Sequence, residues 1–181
     1  MNTPLHRLGS LQGVVALERP DLLAPSVATA LTTWEHADQV AVVEIDPDHA
    51  DTATLVEVAG IPADSGANCV VISGRRDGAE RVAAVLVPTH KRADVNNAIK
   101  RALDVRKCSF HPHERAVTES GMEYGGITPL GIPHDWRLLV DVGVGDIDVC
   151  VIGSGVRRSK LLVPGHLLLA LPGAEVAQIT L

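Results

Sequence analysis

Aromatic side chains are almost absent from this sequence: Trp34, Phe110, Tyr124 and Trp136 make up 2% of its 181 residues. A core must therefore be assembled from Val, Leu, Ile and Ala, and a broad surface on which nucleic-acid bases stack is not expected. Cysteine is equally sparse. Cys69, Cys108 and Cys150 are odd in number and far apart, with no C-x-x-C spacing. Neither a zinc clip nor a redox pair is indicated, and each thiol sits in or beside an apolar run, where it packs as a small hydrophobe. Long hydrophobic runs are missing too. The most apolar late stretch, 161–171, is interrupted by Pro164, Gly165 and His166, far short of the roughly 20 apolar residues a spanning helix needs. The N-terminus has no basic-then-apolar signal pattern. A cytoplasmic location without membrane contact is the expectation.

Several catalytic signatures are lacking as well. There is no P-loop and no G-x-G-x-x-G. Ser154 lies in Gly153-Ser154-Gly155, but Ile152 occupies the position where a nucleophile elbow carries glycine. His111 and His113, two apart, would share one face of a strand. Pro112 separates them and no carboxylate or cysteine cluster accompanies them. No metal and no cofactor are expected.

What the chain does have is an apolar fraction of 46% and a charged fraction of 21%, as in a soluble globular domain with its own core. A net charge of −6 argues against indiscriminate binding to polyanions, so DNA is not an expected partner. The basic residues nevertheless fall in pairs: Arg75-Arg76, Lys91-Arg92, Lys100-Arg101, Arg106-Lys107 and Arg157-Arg158, with Lys160 close behind. Most such pairs are solvated faces, but a groove lined by two or three of them would hold a phosphate backbone.

Periodicity and punctuation predict alternating elements. A helix capped by Ser26 carries Val27, Ala30, Leu31 and Trp34, followed by a buried strand over 40–45. Asp51 opens a short helix that Gly60 closes. Strands over 68–73 and 82–87 flank a hairpin-like loop, 74–78. Asp94 caps a second amphipathic helix with Val95, Ala98, Ile99, Ala102 and Leu103 on one face. A strand over 107–110 and a helix over 112–120 lead into a Gly- and Pro-rich loop, 121–135. Strands over 138–142, 147–152, 160–163 and 174–179, with a helix over 164–171, complete the chain. Strands predominate and several connections are hairpin-length, so the expected class is α+β: a mixed, largely antiparallel sheet surrounded by helices.

The loop 121–131, Gly-Met-Glu-Tyr-Gly-Gly-Ile-Thr-Pro-Leu-Gly, is the informative segment, although a Gly-Gly…Pro loop taken alone is more often merely a turn. Gly125 and Gly126 permit close backbone approach and Pro129 sets the exit. Such a loop can aim successive N–H groups at a carbonyl, or at the oxyanion it becomes during hydrolysis.

From 125–131, through the strand bearing Asp141, to Gly153-Ser154-Gly155 and the Leu-rich segment after it, the sequence resembles the YbaK/EbsC family. That group includes free-standing editing proteins and the editing insertion of bacterial prolyl-tRNA synthetases. Asp51-Thr52, Arg92-Ala93-Asp94 and Lys107-Cys108-Ser109-Phe110 support the resemblance in the same order. It runs from about residue 40 to the end, which makes 40–181 the expected editing domain and 1–39 a helical appendage packed on it.

The resemblance implies hydrolysis of the ester that joins a mischarged amino acid to the terminal adenosine of tRNA. Aminoacyl-tRNA would be the partner, with an aminoacyl-tRNA synthetase as a further one. No side chain is an obvious nucleophile in such proteins; a backbone loop positions the carbonyl, and a ribose hydroxyl of the substrate helps activate water. Carried onto this chain, the catalytic residues are Gly125, Gly126, Thr128 and Pro129. Val71, Gly131, Gly153, Ser154 and Gly155 would bind substrate, and Lys107, Arg157, Arg158 and Lys160 the tRNA phosphates. One departure stands out. The family's lysine in the first pocket strand falls at Val71, in a run (68–73) without a cation. Two readings follow: a hydrolase acting in trans, or a homologue that kept the pocket for an aminoacyl or nucleotide ligand without efficient hydrolysis.

Overall fold

The computed structural model describes residues 7–181. Its strands are β1 (Arg7–Leu8), β2 (Leu11–Gln12), β3 (Val14–Val15), β4 (Ala41–Glu44), β5 (Ala67–Arg76), β6 (Ala79–Pro88), β7 (Cys108–Phe110), β8 (Arg137–Asp141), β9 (Cys150–Gly153), β10 (Ser159–Val163) and β11 (Ala174–Ala177). Its α-helices are α1 (Pro25–Thr33), α2 (Thr52–Ala59), α3 (Lys100–Leu103), α4 (His113–Ser120) and α5 (Gly165–Leu168). A π-helical turn, Val95–Ile99, leads into α3.

Besides the small β1-β2 pair, two larger sheets account for the architecture. One is antiparallel, in the order β3-β4-β10-β9; the other runs β11-β8-β6-β5-β7. In the second, β8 lies parallel to both β6 and β11, whereas β5 is antiparallel to β6 and β7. The long crossover between β6 and β8 is what a parallel neighbour requires. The sheet expected as one is therefore split in two. Antiparallel pairings dominate, and the α+β class holds.

Alternation along the strands feeds three apolar layers. Val71, Ala84, Leu86, Leu138 and Val140 of one sheet meet Val42, Ile152, Leu161 and Val163 of the other, with Val27 and Leu31 of α1 closing the layer. Ile72, Val85 and Leu139 point the opposite way, onto Ile99 and Leu103 of the Val95–Leu103 helical segment. Ala41, Val43, Val151 and Leu162 turn away from the central layer onto Leu55 and Ala59 of α2. No aromatic side chain is needed to fill most of this volume; Trp34 and Trp136 are the two that are buried.

Local chemistry accounts for the element ends. Asp51 accepts hydrogen bonds from the N–H groups of Ala53 (3.0 Å) and Thr54 (3.4 Å), and Gly60 closes α2 at φ +62°. Asp94 caps the next helix through Asn97 and Ala98. Replacing Asp51 by Ala is expected to cost about 1 kcal/mol of stability, measured as a shift in denaturation midpoint without a change in slope. Two expectations are revised. The first helix starts at Pro25 with Ala24, not Ser26, as its N-cap, because proline suits the first helical turn. The hairpin loop shrinks to Asp77-Gly78, both at positive φ, since a primed two-residue turn matches the twist of strands that run on to Arg76 and from Ala79.

The segment before residue 40 is not only helical. β3 pairs with β4, α1 is part of the central layer, and the Ser159 hydroxyl donates to the Leu22 carbonyl at 2.5 Å. Residues 1–6 of the expected appendage lie outside the described residues.

Candidate active site

The two sheets touch where Gly66 bridges Val151 in parallel, with the Val151 N–H donating to the Ser65 carbonyl at 2.7 Å. A cavity of about 640 Å³ opens beside that junction, with 68–71 of β5 on one side and Val151, Ile152 and Gly153 of β9 on the other. Asp48 and residues 50–52, the β7–α4 corner, Tyr124, Gly125 and Ile127 of the glycine loop, and Arg157 and Lys160 complete its wall.

Contacts between two turns build one side of the cavity. The Gly155 N–H donates to the Gly126 carbonyl (2.8 Å), and the Glu123 N–H to the Gly155 carbonyl (2.8 Å). The Glu123 carboxylate accepts from the Arg157 N–H at 2.6 Å. The approach is so close that only glycine fits. A Cβ on Gly153 would stand 2.4 Å from the Gly126 carbonyl oxygen and 2.7 Å from that of Ile127. One on Gly126 would stand 2.9 Å from the Val156 nitrogen.

Lys160 brings a buried cation to a cavity that Asp48, Asp51 and Arg157 also line. It lies on β10 directly opposite Gly153 on one side and Val43 on the other, and cross-strand partners share a face. Its side chain therefore lies on the face over which the 126–127 backbone crosses Gly153. Lys160 is only 5% exposed and lines the cavity. Burial pushes its ammonium down to about 8, with Asp51 working against the shift and Arg157 with it.

Val71 is on the wall, as are Gly125, Gly153, Arg157 and Lys160. The other expected site residues are placed differently. Thr128 is fully buried and its hydroxyl has no hydrogen-bond partner; like Gly126 and Pro129, it is outside the lining. Gly131 backs onto α1, where a Cβ would meet the Ser26 carbonyl oxygen. Ser154 bonds to Ser159, linking hydroxyl to hydroxyl at 2.7 Å. Gly155 abuts Ala24. Arg157 donates to the carbonyls of Tyr124 (3.2 Å) and Pro47 (3.0 Å), and Arg158 to that of Asp21. Lys107 is exposed and away from the cavity.

The cavity also contains residues that the sequence did not single out as substrate contacts. His111 donates its N–H to the Val71 carbonyl (2.8 Å), and its ring Nε2 lies 3.1 Å from Glu119. Its Nδ1 is buried without a partner. His113 turns outward, edge-on to Tyr124, so the two histidines engage separate neighbours. Cys69 is also on the wall, its thiol pushed up to about 12 by burial, which leaves it protonated and unreactive at neutral pH.

A family model described as the aminoacyl-tRNA editing domain matches residues 46–171. The chain belongs to this family. The matched segment contains every wall element of the cavity, and editing domains are aminoacyl-tRNA deacylases by class. Solved structures agree in fold. A proposed trans-editing enzyme for prolyl-tRNA synthetase superimposes with a TM-score of 0.73 at 22% identity, covering 87% of this chain and 96% of its own. A hypothetical protein gives 0.68 at 21%, covering 77% and 90%. A scaffold used for epitope grafting gives 0.71 at 21%, covering 87% and 96%. No curated protein matches the sequence. The expected resemblance is thus borne out, and with it the α+β class of this editing domain. No helix among the described residues is long and apolar enough to cross a membrane.

Proposed function

We propose that this editing domain hydrolyses the ester of mischarged aminoacyl-tRNA in trans, using its backbone and a buried cation rather than a side-chain nucleophile. The observation that carries the reading is the convergence, in one cavity, of Gly125, Ile127, Gly153 and Lys160. The Gly126 N–H already donates to the Glu123 carbonyl at 2.9 Å. The amides aimed at the ester are then those of Gly125 and Ile127, with Gly126 holding the loop in shape. Oriented backbone dipoles stabilise a developing oxyanion without reorganising. Water is activated by the neighbouring ribose hydroxyl of the substrate.

Lys160 takes over the part that Val71 cannot play. An ammonium supplied from β10 in place of β5 reaches the same cavity, and its 5% exposure makes it available to a ligand inside the pocket, not to phosphates outside. The phosphate contacts fall to Arg157, whose guanidinium donates only to backbone carbonyls and so keeps its charge uncompensated, with Arg158 and Lys107 more distant. A synthetase as a further partner follows from the same reading.

A panel of aminoacyl-tRNAs tests it. Deacylation above the spontaneous rate is expected for at least one small amino acid, unchanged by chelators, with an affinity whose log–log salt slope is of order −0.7 to −0.9 per neutralised phosphate. A protein that binds acylated tRNA but turns over none of the panel would favour the second reading, a ligand-binding homologue, for which the replacement of the pocket lysine by Val71 is the supporting observation.

A further inference from the structure

Two opposite charges reach the cavity from different elements, and neither is paired. Lys160 is 5% exposed, and among the described residues its ammonium makes no hydrogen bond or ion pair. It shares a face of β10 with Leu162, which belongs to the apolar layer under α2. Asp51, at the start of α2, is the carboxylate whose field reaches that ammonium, and both residues line the cavity. One oxygen of Asp51 is committed to the helix, Oδ2 accepting from the N–H groups of Ala53 and Thr54. Oδ1 takes no hydrogen bond among the described residues.

The start of α2 is tied to two walls of the cavity. The Thr52 hydroxyl donates to the Asn68 side-chain carbonyl at 3.2 Å, which links α2 to β5. The Arg157 guanidinium donates to the Pro47 carbonyl at 3.0 Å and to that of Tyr124, which links the turn before Asp51 to the glycine loop. A carboxylate on so fixed a support is suited to orienting a ligand. An unpaired buried ammonium costs stability, and a ligand-binding cavity is where such a cost is offset. A ligand that answers both charges carries a cation beside a hydrogen-bond acceptor. An aminoacyl ester does so, with its ammonium and its ester carbonyl on adjacent carbons. A hydroxy-acid ester lacks the cation, and an N-acylated or peptidyl ester has lost it.

We propose that Asp51 receives the α-ammonium of the aminoacyl group through Oδ1 while Lys160 meets the ester carbonyl. The cavity is thereby selective for esters of amino acids whose amino group is free. This rests on the deacylase reading and names the substrate class within it. An N-blocked or peptidyl ester places an amide against the carboxylate. Its N–H is a weaker partner than an ammonium, and its added carbonyl oxygen is repelled. Such a site discriminates by charge as well as by size, and it spares peptidyl esters.

The test uses two adenosine derivatives joined by an amide in place of the ester, one carrying alanine and the other lactate. In the second a hydroxyl replaces the ammonium at nearly the same size, so charge is compared without bulk. Titration calorimetry on the wild type is expected to show the alanyl compound bound about tenfold more tightly. Asp51→Asn and Asp51→Ser both keep a capping side chain, so the fold should survive, which melting temperatures check. Both variants should bind the two compounds within about twofold of each other, with affinity for the lactyl compound unchanged. Deacylation should follow the same pattern: the wild type prefers alanyl-tRNA to lactyl-tRNA by about tenfold in kcat/KM, and the variants show no preference. Equal binding of the two compounds by the wild type overturns the ammonium subsite. So does a preference that survives in the folded variants; hydrolysis of alanyl-tRNA in either case leaves the deacylase reading standing. A binding preference that depends on Asp51, in a protein that deacylates nothing, keeps the subsite and sinks the deacylase reading. No saturable binding of the alanyl compound, together with no turnover, overturns both.

Discussion

Gly126→Val is expected to lower deacylation by about 100-fold or more, the scale associated with loss of an oriented backbone donor. The cause is steric. A Cβ at this position would stand 2.9 Å from the Val156 nitrogen and 3.0 Å from the Gly155 carbonyl carbon; both are backbone atoms that cannot rotate away. The two γ-methyl groups of valine add to the overlap, so the 125–127 segment must lift from the 153–156 turn. The hydrogen bond from the Gly155 N–H to the Gly126 carbonyl breaks with it. The stability cost should be about 1–3 kcal/mol, as for local overpacking, well short of unfolding the domain. Gly153→Ala should reproduce the defect from the opposite side, because its Cβ would meet the Gly126 and Ile127 carbonyl oxygens. Steady-state kinetics with melting temperatures on the same preparations decide the matter. Wild-type turnover by a folded Gly126→Val protein would mean that the loop is only a turn.

Lys160→Met should have opposite effects on activity and on stability. Removing the ammonium takes away a charge-assisted contact, expected to reduce kcat/KM about 10- to 100-fold. Yet the fold should become more stable at neutral pH, since a buried cation is replaced by an apolar chain of similar length. The pH dependence follows from linkage. Burial lowers the lysine from 10.5 to about 8, so the folded protein releases a proton that the unfolded chain keeps. Below about pH 8 both states are protonated and the full penalty is present. Between about 8 and 10.5 the unfolded state binds more protons, and stability rises with pH by on the order of 3 kcal/mol. That rise should vanish in Lys160→Met. Asp51 and Arg157 set the field at the ammonium, and Asp48, His111 and His113 share the cavity; comparison with Lys160→Met at each pH isolates the lysine's own contribution. Denaturant midpoints between pH 7 and 10 measure it. Unchanged turnover in the variant would show that substrate does not use this cation.

How much of this was legible beforehand varies by residue. Asp51 before an apolar run closed by Gly60 identifies α2, because capping and termination are local events that neighbouring residues decide. The same holds for Asp94 and for the strands β5 and β6. The 125–129 loop and the 153–155 turn were legible as glycine clusters and through the family resemblance. Ser26 was misleading. A hydroxyl before a helical pattern resembles a cap, but Pro25 already satisfies the first turn, and the Ser26 hydroxyl is buried without a partner.

By itself the sequence determined the element order, the Val-, Leu- and Ile-built layers, the absence of familiar nucleophile motifs and the family. These depend on short-range spacing and composition, which pattern reading captures. Only the tertiary structure decided that two sheets, not one, enclose the core, since strand partnership across long crossovers leaves no local mark. It also decided where Lys160 lies. Next to Arg157-Arg158 in the chain it reads as one more surface cation, but the register of β10 sets it against Gly153 and turns it into the cavity.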